Sequence, residues 1–135
     1  MTITWILVAN ARNARLFANH GPDKGLELVQ TCAAEEAETS PPQSGRLSRR
    51  MDMPRQTARG FAHRLAGDLY KGRSRGRYAK AIIVAPPSFM GMLNAELDGP
   101  TEKMVSSRVA KDYTRDEERD LRQHLKSCLR PWATD

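Results

Sequence analysis

The chain has 135 residues, 39% of them hydrophobic, with 22 Lys and Arg against 16 Asp and Glu and a net charge of +6. That is the size of one domain; its dense apolar blocks exclude wholesale disorder, and no run of about 18 apolar residues is present to cross a membrane. Cys32 and Cys128 lack metal-ligand spacing, and Met1–Asn10 lacks the charged and apolar regions of a secretion signal, so the expectation is reduced thiols in a cytoplasmic protein.

Taken in order, Thr2–Ala9 is TITWILVA, continuously apolar from Trp5, which predicts a strand covered on both faces. Asn10-Ala11-Arg12-Asn13 are turn formers, and Ala14–Ala18 resumes as a strand, so the two predict a hairpin. A second turn, His20 to Gly25, leads to Leu26–Thr31, an outer strand expected to place Leu26, Leu28 and Gln30 on one face. From Cys32 to Met53 no period survives. Pro41-Pro42 and Gly45 break any helix, and Thr39–Met53 reads as a mobile basic loop.

The long helix comes next. Ala58, Phe61, Ala62, Leu65, Ala66, Leu69 and Tyr70 recur at helical spacing and predict its buried stripe. Pro54 suits its start, and Gly72–Gly76, GRSRG, is expected to end it. Ala81–Ala85, AIIVA, is a second fully buried strand. Pro86-Pro87 then sets the backbone for a helix whose stripe is Phe89, Met90, Leu93 and Leu97, stopped by Asp98-Gly99-Pro100. Ser88 is read as a cap. Met104–Ala110 alternates through Val105, Ser107 and Val109, a last strand near an edge. Thr114-Arg115-Asp116-Glu117 has the T-x-x-E form of a capping box, ahead of a final helix with Leu121, Leu125, Cys128 and Leu129 on its apolar side.

The order β-β-β-α-β-α-β-α, with right-handed crossovers, predicts an α/β fold: a five-stranded mixed sheet, order 3-2-1-4-5, helices on its faces, the ribonuclease H-like arrangement. It places the two continuously apolar strands side by side at the centre. The whole chain, 1–135, is expected to form one domain.

The charge is concentrated. Arg46, Arg49, Arg50, Arg55, Arg59, Arg64, Lys71, Arg73, Arg75, Arg77 and Lys80, half of the chain's 22 cations, face only Asp52 and Asp68 in the same stretch. Such a block fits a polyanion, most simply RNA, and the nucleic-acid-binding candidates are Arg46, Arg49, Arg50, Arg55, Arg59, Lys71, Arg73, Arg75 and Arg77. The competing reading is a solvated face. A two-metal nuclease needs carboxylates on the first strand, and Ile3–Ala9 has none, so neither metal nor cofactor is expected. No G-x-G-x-x-G or P-loop occurs, and Ala85-Pro86-Pro87 offers few amide donors. His20, His63 and His124 read as surface residues. Asp112 and Tyr113 fall near the carboxyl edge of the sheet, where open α/β sheets bind ligands, and are read first as packing at that junction.

W-I-L-V-A-N-A-R-N-A-R-L-F at Trp5–Phe17, I-I-V-A-P-P-S-F-M-G-M-L at Ile82–Leu93 and K-D-Y-T at Lys111–Thr114 resemble the bacterial family of proteins required for attachment to host cells. The resemblance covers nearly the whole chain. That family is similar to the middle domain of the class I peptide-chain release factors of archaea and eukaryotes. Those factors carry a Gly-Gly-Gln loop before their long helix, and here Pro54-Arg55-Gln56 stands at that place. Gln56 matches the glutamine, whereas Pro54 and Arg55 replace both glycines and remove their conformational freedom. Gln56 is therefore read first as an ordinary first-turn residue. A chain of 135 residues also leaves no room for codon-reading or factor-recruiting domains.

Three functions follow. The leading expectation is a non-enzymatic RNA-binding module associated with the ribosome or tRNA. The second is a factor that supports bacterial attachment indirectly, and the third a peptidyl-tRNA hydrolase-like activity that uses Gln56.

Overall fold

The computed structural model describes residues 3–21, 25–34 and 55–125. The two continuously apolar stretches become the centre of the sheet: β1 (Thr4–Ala9) and β4 (Lys80–Val84) pair in parallel from Thr4 opposite Lys80 to Val8 opposite Val84. A strand flanked by strands and layered by helices is covered on both faces, and every residue of β1 is buried, including Thr4, whose hydroxyl has no hydrogen-bond partner among the described residues. β2 (Asn13–Asn19) pairs antiparallel with β1, and β3 (Leu26–Ala33) with β2. β5 (Val105–Val109) joins β4 in parallel at the far edge, which gives the sheet order β3-β2-β1-β4-β5 expected from the chain order.

Two cores lie on opposite faces of this sheet. Leu7, Leu16 and Ile83 face helices α1 (Arg55–Ser74) and α2 (Pro87–Glu96), packing with Phe61, Leu65, Leu69, Phe89 and Leu93. Ile6, Val8, Phe17, Ile82 and Val84 face helix α4 (Glu118–His124), which contributes Leu121, with Leu125 just past its end. Each of these large side chains stabilises the fold by roughly 1.5–3 kcal/mol through the area it removes from water. The arrangement is a three-layer, ribonuclease H-like α/β fold.

Several local expectations are corrected. A β-bulge between Leu16 and Phe17 sets Leu28 opposite Phe17 and Gln30 opposite Leu16. Leu16 and Phe17 belong to the two different cores, so Leu28 and Gln30 lie on opposite faces instead of one. The bulge supplies the one-residue shift that reverses the alternation. The long helix does end within Gly72–Gly76, as expected: its last residue is Ser74, and Gly76, at φ +69°, turns the chain. Tyr70 is 48% exposed, not part of the buried stripe; at ~100° per residue it falls about 120° around the helix from Ala58.

Asp98-Gly99-Pro100 stops α2 but also starts a short helix, α3 (Gly99–Met104), with the Asp98 carboxylate accepting from the Thr101 amide at 3.2 Å. At α2 the cap position is Pro86, with no side-chain bond, and Ser88 is exposed in the first turn. Pro87 there lacks only an N–H that would have had no helical partner. The T-x-x-E capping box does not form. Helix α4 starts at Glu118, its cap residue Glu117 makes no side-chain bond, and the Thr114 hydroxyl bonds Asp112 Oδ1 at 2.6 Å instead. Cys32 is buried, with its Sγ accepting from the Gln30 side-chain amide at 3.3 Å, while Cys128 and Leu129 lie outside the described residues.

Candidate nucleic-acid interface

Helix α1 is amphipathic because its apolar residues return every three or four positions. Phe61, Ala62, Leu65, Ala66 and Leu69 face the sheet, which leaves Arg59, His63, Arg64, Tyr70 and Lys71 exposed. Arg75 and Arg77, in the turn that leaves the helix, are exposed as well. From Arg59 to Ser74 this face runs for about 22 Å at ~1.5 Å per residue. Among the described residues Arg59, Arg64, Lys71, Arg75 and Arg77 make no ion pair. Asp68, the acid of this helix, receives the Gln30 amide at 2.9 Å. A row of unneutralised cations with low surrounding acidity attracts phosphate and repels other cations.

Arg73 is different from its neighbours. Its Nε donates to Thr101 Oγ1 at 3.0 Å, its Nη2 stands 3.7 Å from Asp98 Oδ2, and its guanidinium lies 5.3 Å from the centroid of the Tyr70 ring. This cation fastens α1 to α3 and supports an aromatic ring, a role that a count of basic residues cannot reveal. The Thr101 hydrogen bonds hold the Asp98 carboxyl below the ordinary carboxylate range, outweighing a desolvation effect that acts the other way. Arg55 and Gln56 are the first two residues of α1. Arg46, Arg49 and Arg50, with the whole Thr39–Met53 stretch, lie outside the described residues.

A second polar cluster sits at the carboxyl ends of the parallel strands. Asn10, one residue past β1, accepts the Arg12 and Asn13 amides on Oδ1, both at 2.8 Å. Its Nδ2 donates to Asp112 Oδ2 and to Thr114 Oγ1, both at 3.0 Å. Burial acts to raise the Asp112 pKa, but the bonds from Thr114 and Asn10 overcome it and hold the carboxyl below its usual range. Nearby, Arg15 donates to the Tyr113 carbonyl at 3.0 Å, and the Tyr113 ring stacks on His124 at 4.3 Å. His124 Nδ1 stands 2.8 Å from Asp116 Oδ2 without hydrogen-bond alignment. These contacts tie the segment ahead of α4 to β1 and β2, as the expectation of packing at this junction has it, although Arg15 Nε and Asp116 Oδ2 are buried without a hydrogen-bond partner among the described residues. Asn10 organises the cluster, and only its turn-forming character is visible in the sequence.

His20 and His63 are surface residues, as expected, each paired with a carboxylate: Glu27 at 2.7 Å and Glu96 at 2.8 Å. Among the described residues no three His, Cys, Asp or Glu side chains gather as a metal would require, and no helix is long and apolar enough to cross a membrane.

Fold and surface together define a three-layer α/β structure with ribonuclease H-like strand order and a basic helix face whose exposed cations make no ion pair among the described residues. The chain belongs to the family described as "Protein required for attachment to host cells", which it matches over residues 5–125. No curated protein matches it in sequence. In structure it is similar to the archaeal translation termination factor aRF1, with a TM-score of 0.53 and 13% identity over 96% of this chain. It is also similar to a further archaeal protein, with a TM-score of 0.52 and 12% identity over 96% of this chain. The chain spans 39% and 38% of the lengths of those two proteins. At such identities the likeness is one of fold.

Proposed function

We propose that this protein is a non-enzymatic RNA-binding module that associates with the ribosome or tRNA. The observation that carries the reading is the exposed row Arg59, Arg64, Lys71, Arg75 and Arg77, free of ion pairs among the described residues. The fold shared with a translation termination factor supports the same direction. Phosphate binding by such a row releases counterions, so affinity falls steeply as salt rises. Filter binding to bulk tRNA and co-sedimentation with ribosomes test it. Association that weakens by decades over a few-fold rise in salt is the expected result, and no salt-sensitive association overturns it. The module does not rely on Gln56: Gln56→Ala is expected to bind as the wild type does, and neither protein to release peptide from peptidyl-tRNA.

The family description favours a second reading, a factor that supports attachment to host cells, which we take to act indirectly. Cell fractionation that finds the protein on the cell surface would reverse the order of the two readings.

A further inference from the structure

Tyr70 is out of place for a helix that packs on a sheet. It is a large ring, 48% exposed, in the middle of the basic face, next to Lys71 and five residues before Arg75. Its setting restricts it. The Arg73 guanidinium lies 5.3 Å from the ring centroid, and Arg73 is itself held by Thr101 at 3.0 Å and Asp98 at 3.7 Å. The ring therefore has a fixed support instead of a free rotor's surroundings. Helical side chains lean back over the turn before them, and in that turn, three residues earlier, stands Gly67, with open space where a Cβ would project. No side chain from that position crowds the ring.

A supported, half-exposed aromatic among phosphate-binding cations has the composition of a stacking platform for a nucleobase. Paired bases are stacked inside a helix and cannot reach such a ring; unpaired bases can. We propose that Tyr70 stacks on an unpaired base, so that the basic face of α1 takes single-stranded or looped RNA. The cations hold the backbone and Tyr70 holds one base. This inference rests on the RNA-binding reading and names the class of RNA.

The experiment is fluorescence anisotropy at fixed salt with three labelled probes: a single-stranded RNA of mixed sequence, the same RNA in a duplex, and a strand of equal length and charge with abasic sites. Tyr70→Ala is expected to lose roughly 5- to 150-fold in affinity for the single strand, the range of one base–aromatic stack, and nothing for the duplex. Tyr70→Trp is expected to keep or improve it. The abasic strand is expected to bind wild type and Tyr70→Ala equally. Circular dichroism establishes that each variant is folded, and position 70 bears little of the core, so folding is retained. If the wild type binds RNA and Tyr70→Ala binds the single strand equally well, stacking is refuted while RNA binding stands. If the wild type binds none of the probes, both readings fall together.

Discussion

Gly72 lies against the indole of Trp5 so closely that a Cβ at position 72 would collide with Trp5 Cη2 and Cζ3 and come within 3.1 Å of Tyr78 Cε1. Trp5 in turn stacks on Tyr78, with ring centroids 4.7 Å apart and planes 25° apart. One missing side chain thus lets the last turns of α1 rest on β1 and on the segment that feeds β4. Gly72→Ala is expected to destabilise the protein by about 1–3 kcal/mol through overpacking, more than offsetting the up to ~1 kcal/mol that alanine gains in a helix. Gly67→Ala, in the same helix with open space at its Cβ, is expected to be neutral or stabilising. Urea denaturation of the two variants side by side separates packing from propensity.

Tyr78 sits under the same contact, with its hydroxyl donating to the Leu69 carbonyl at 2.7 Å. Burial pushes its pKa up to about 12, with Arg73 opposing and Asp98 adding to the rise. A folded-state pKa above the unfolded value of about 10 means full stability below pH ~10, lost as pH rises toward ~12 because the unfolded chain ionises first. Tyr78→Phe is expected to cost about 1 kcal/mol at neutral pH and to flatten that alkaline limb. Denaturation midpoints measured from pH 8 to about 12 read both effects.

Asn10 ties the turn after β1 to Asp112 and Thr114, which sit about a hundred residues further along the chain. Asn10→Ala removes bonds to both sides and is expected to cost about 1–3 kcal/mol, less than four bonds near 0.5–1.5 each would sum to, because most of them are exposed to water. The Asp112 carboxyl is held below its ordinary range, so its contribution is present above pH ~3.9 and lost as pH falls through the folded value. Asp112→Asn is therefore expected to flatten the stability profile below about pH 4. Asn10→Asp sets a second carboxylate beside Asp112 and is expected to destabilise most at neutral pH, recovering on acidification. Acid titration of the denaturation midpoint distinguishes the three variants.

The cations of the α1 face are expected to act independently of one another, because they are exposed and make no ion pair among the described residues. Each of Arg59→Ala, Lys71→Ala and Arg75→Ala is expected to flatten the slope of log K against log salt by about 0.7 on single-stranded RNA, the value for one phosphate contact. Arg73→Ala is expected to behave differently. It removes the support of Tyr70 and the tie to Thr101, so it lowers stability as well as affinity. Binding isotherms at several salt concentrations, paired with urea denaturation, separate the two kinds of arginine.

Strand order, the two buried central strands and the helix over Phe61, Leu65 and Leu69 were legible because burial on both faces leaves unbroken apolar runs, and burial on one face leaves a period. The concentration of positive charge was legible because it is a matter of counting. Tertiary structure alone decided the rest, wherever a residue's role depends on a neighbour far along the chain. The bulge that separates Leu28 from Gln30 is a register between strands. Thr114 does not cap its helix because Asp112 and Asn10 take its hydroxyl, and position 72 has room only for glycine because Trp5 occupies the space a side chain would need. Within the basic stretch the sequence treats every arginine alike. Only the arrival of α3 beside α1 turns Arg73 from a free cation into a strut, and only the angle around the helix brings Tyr70 out onto the surface that strut supports.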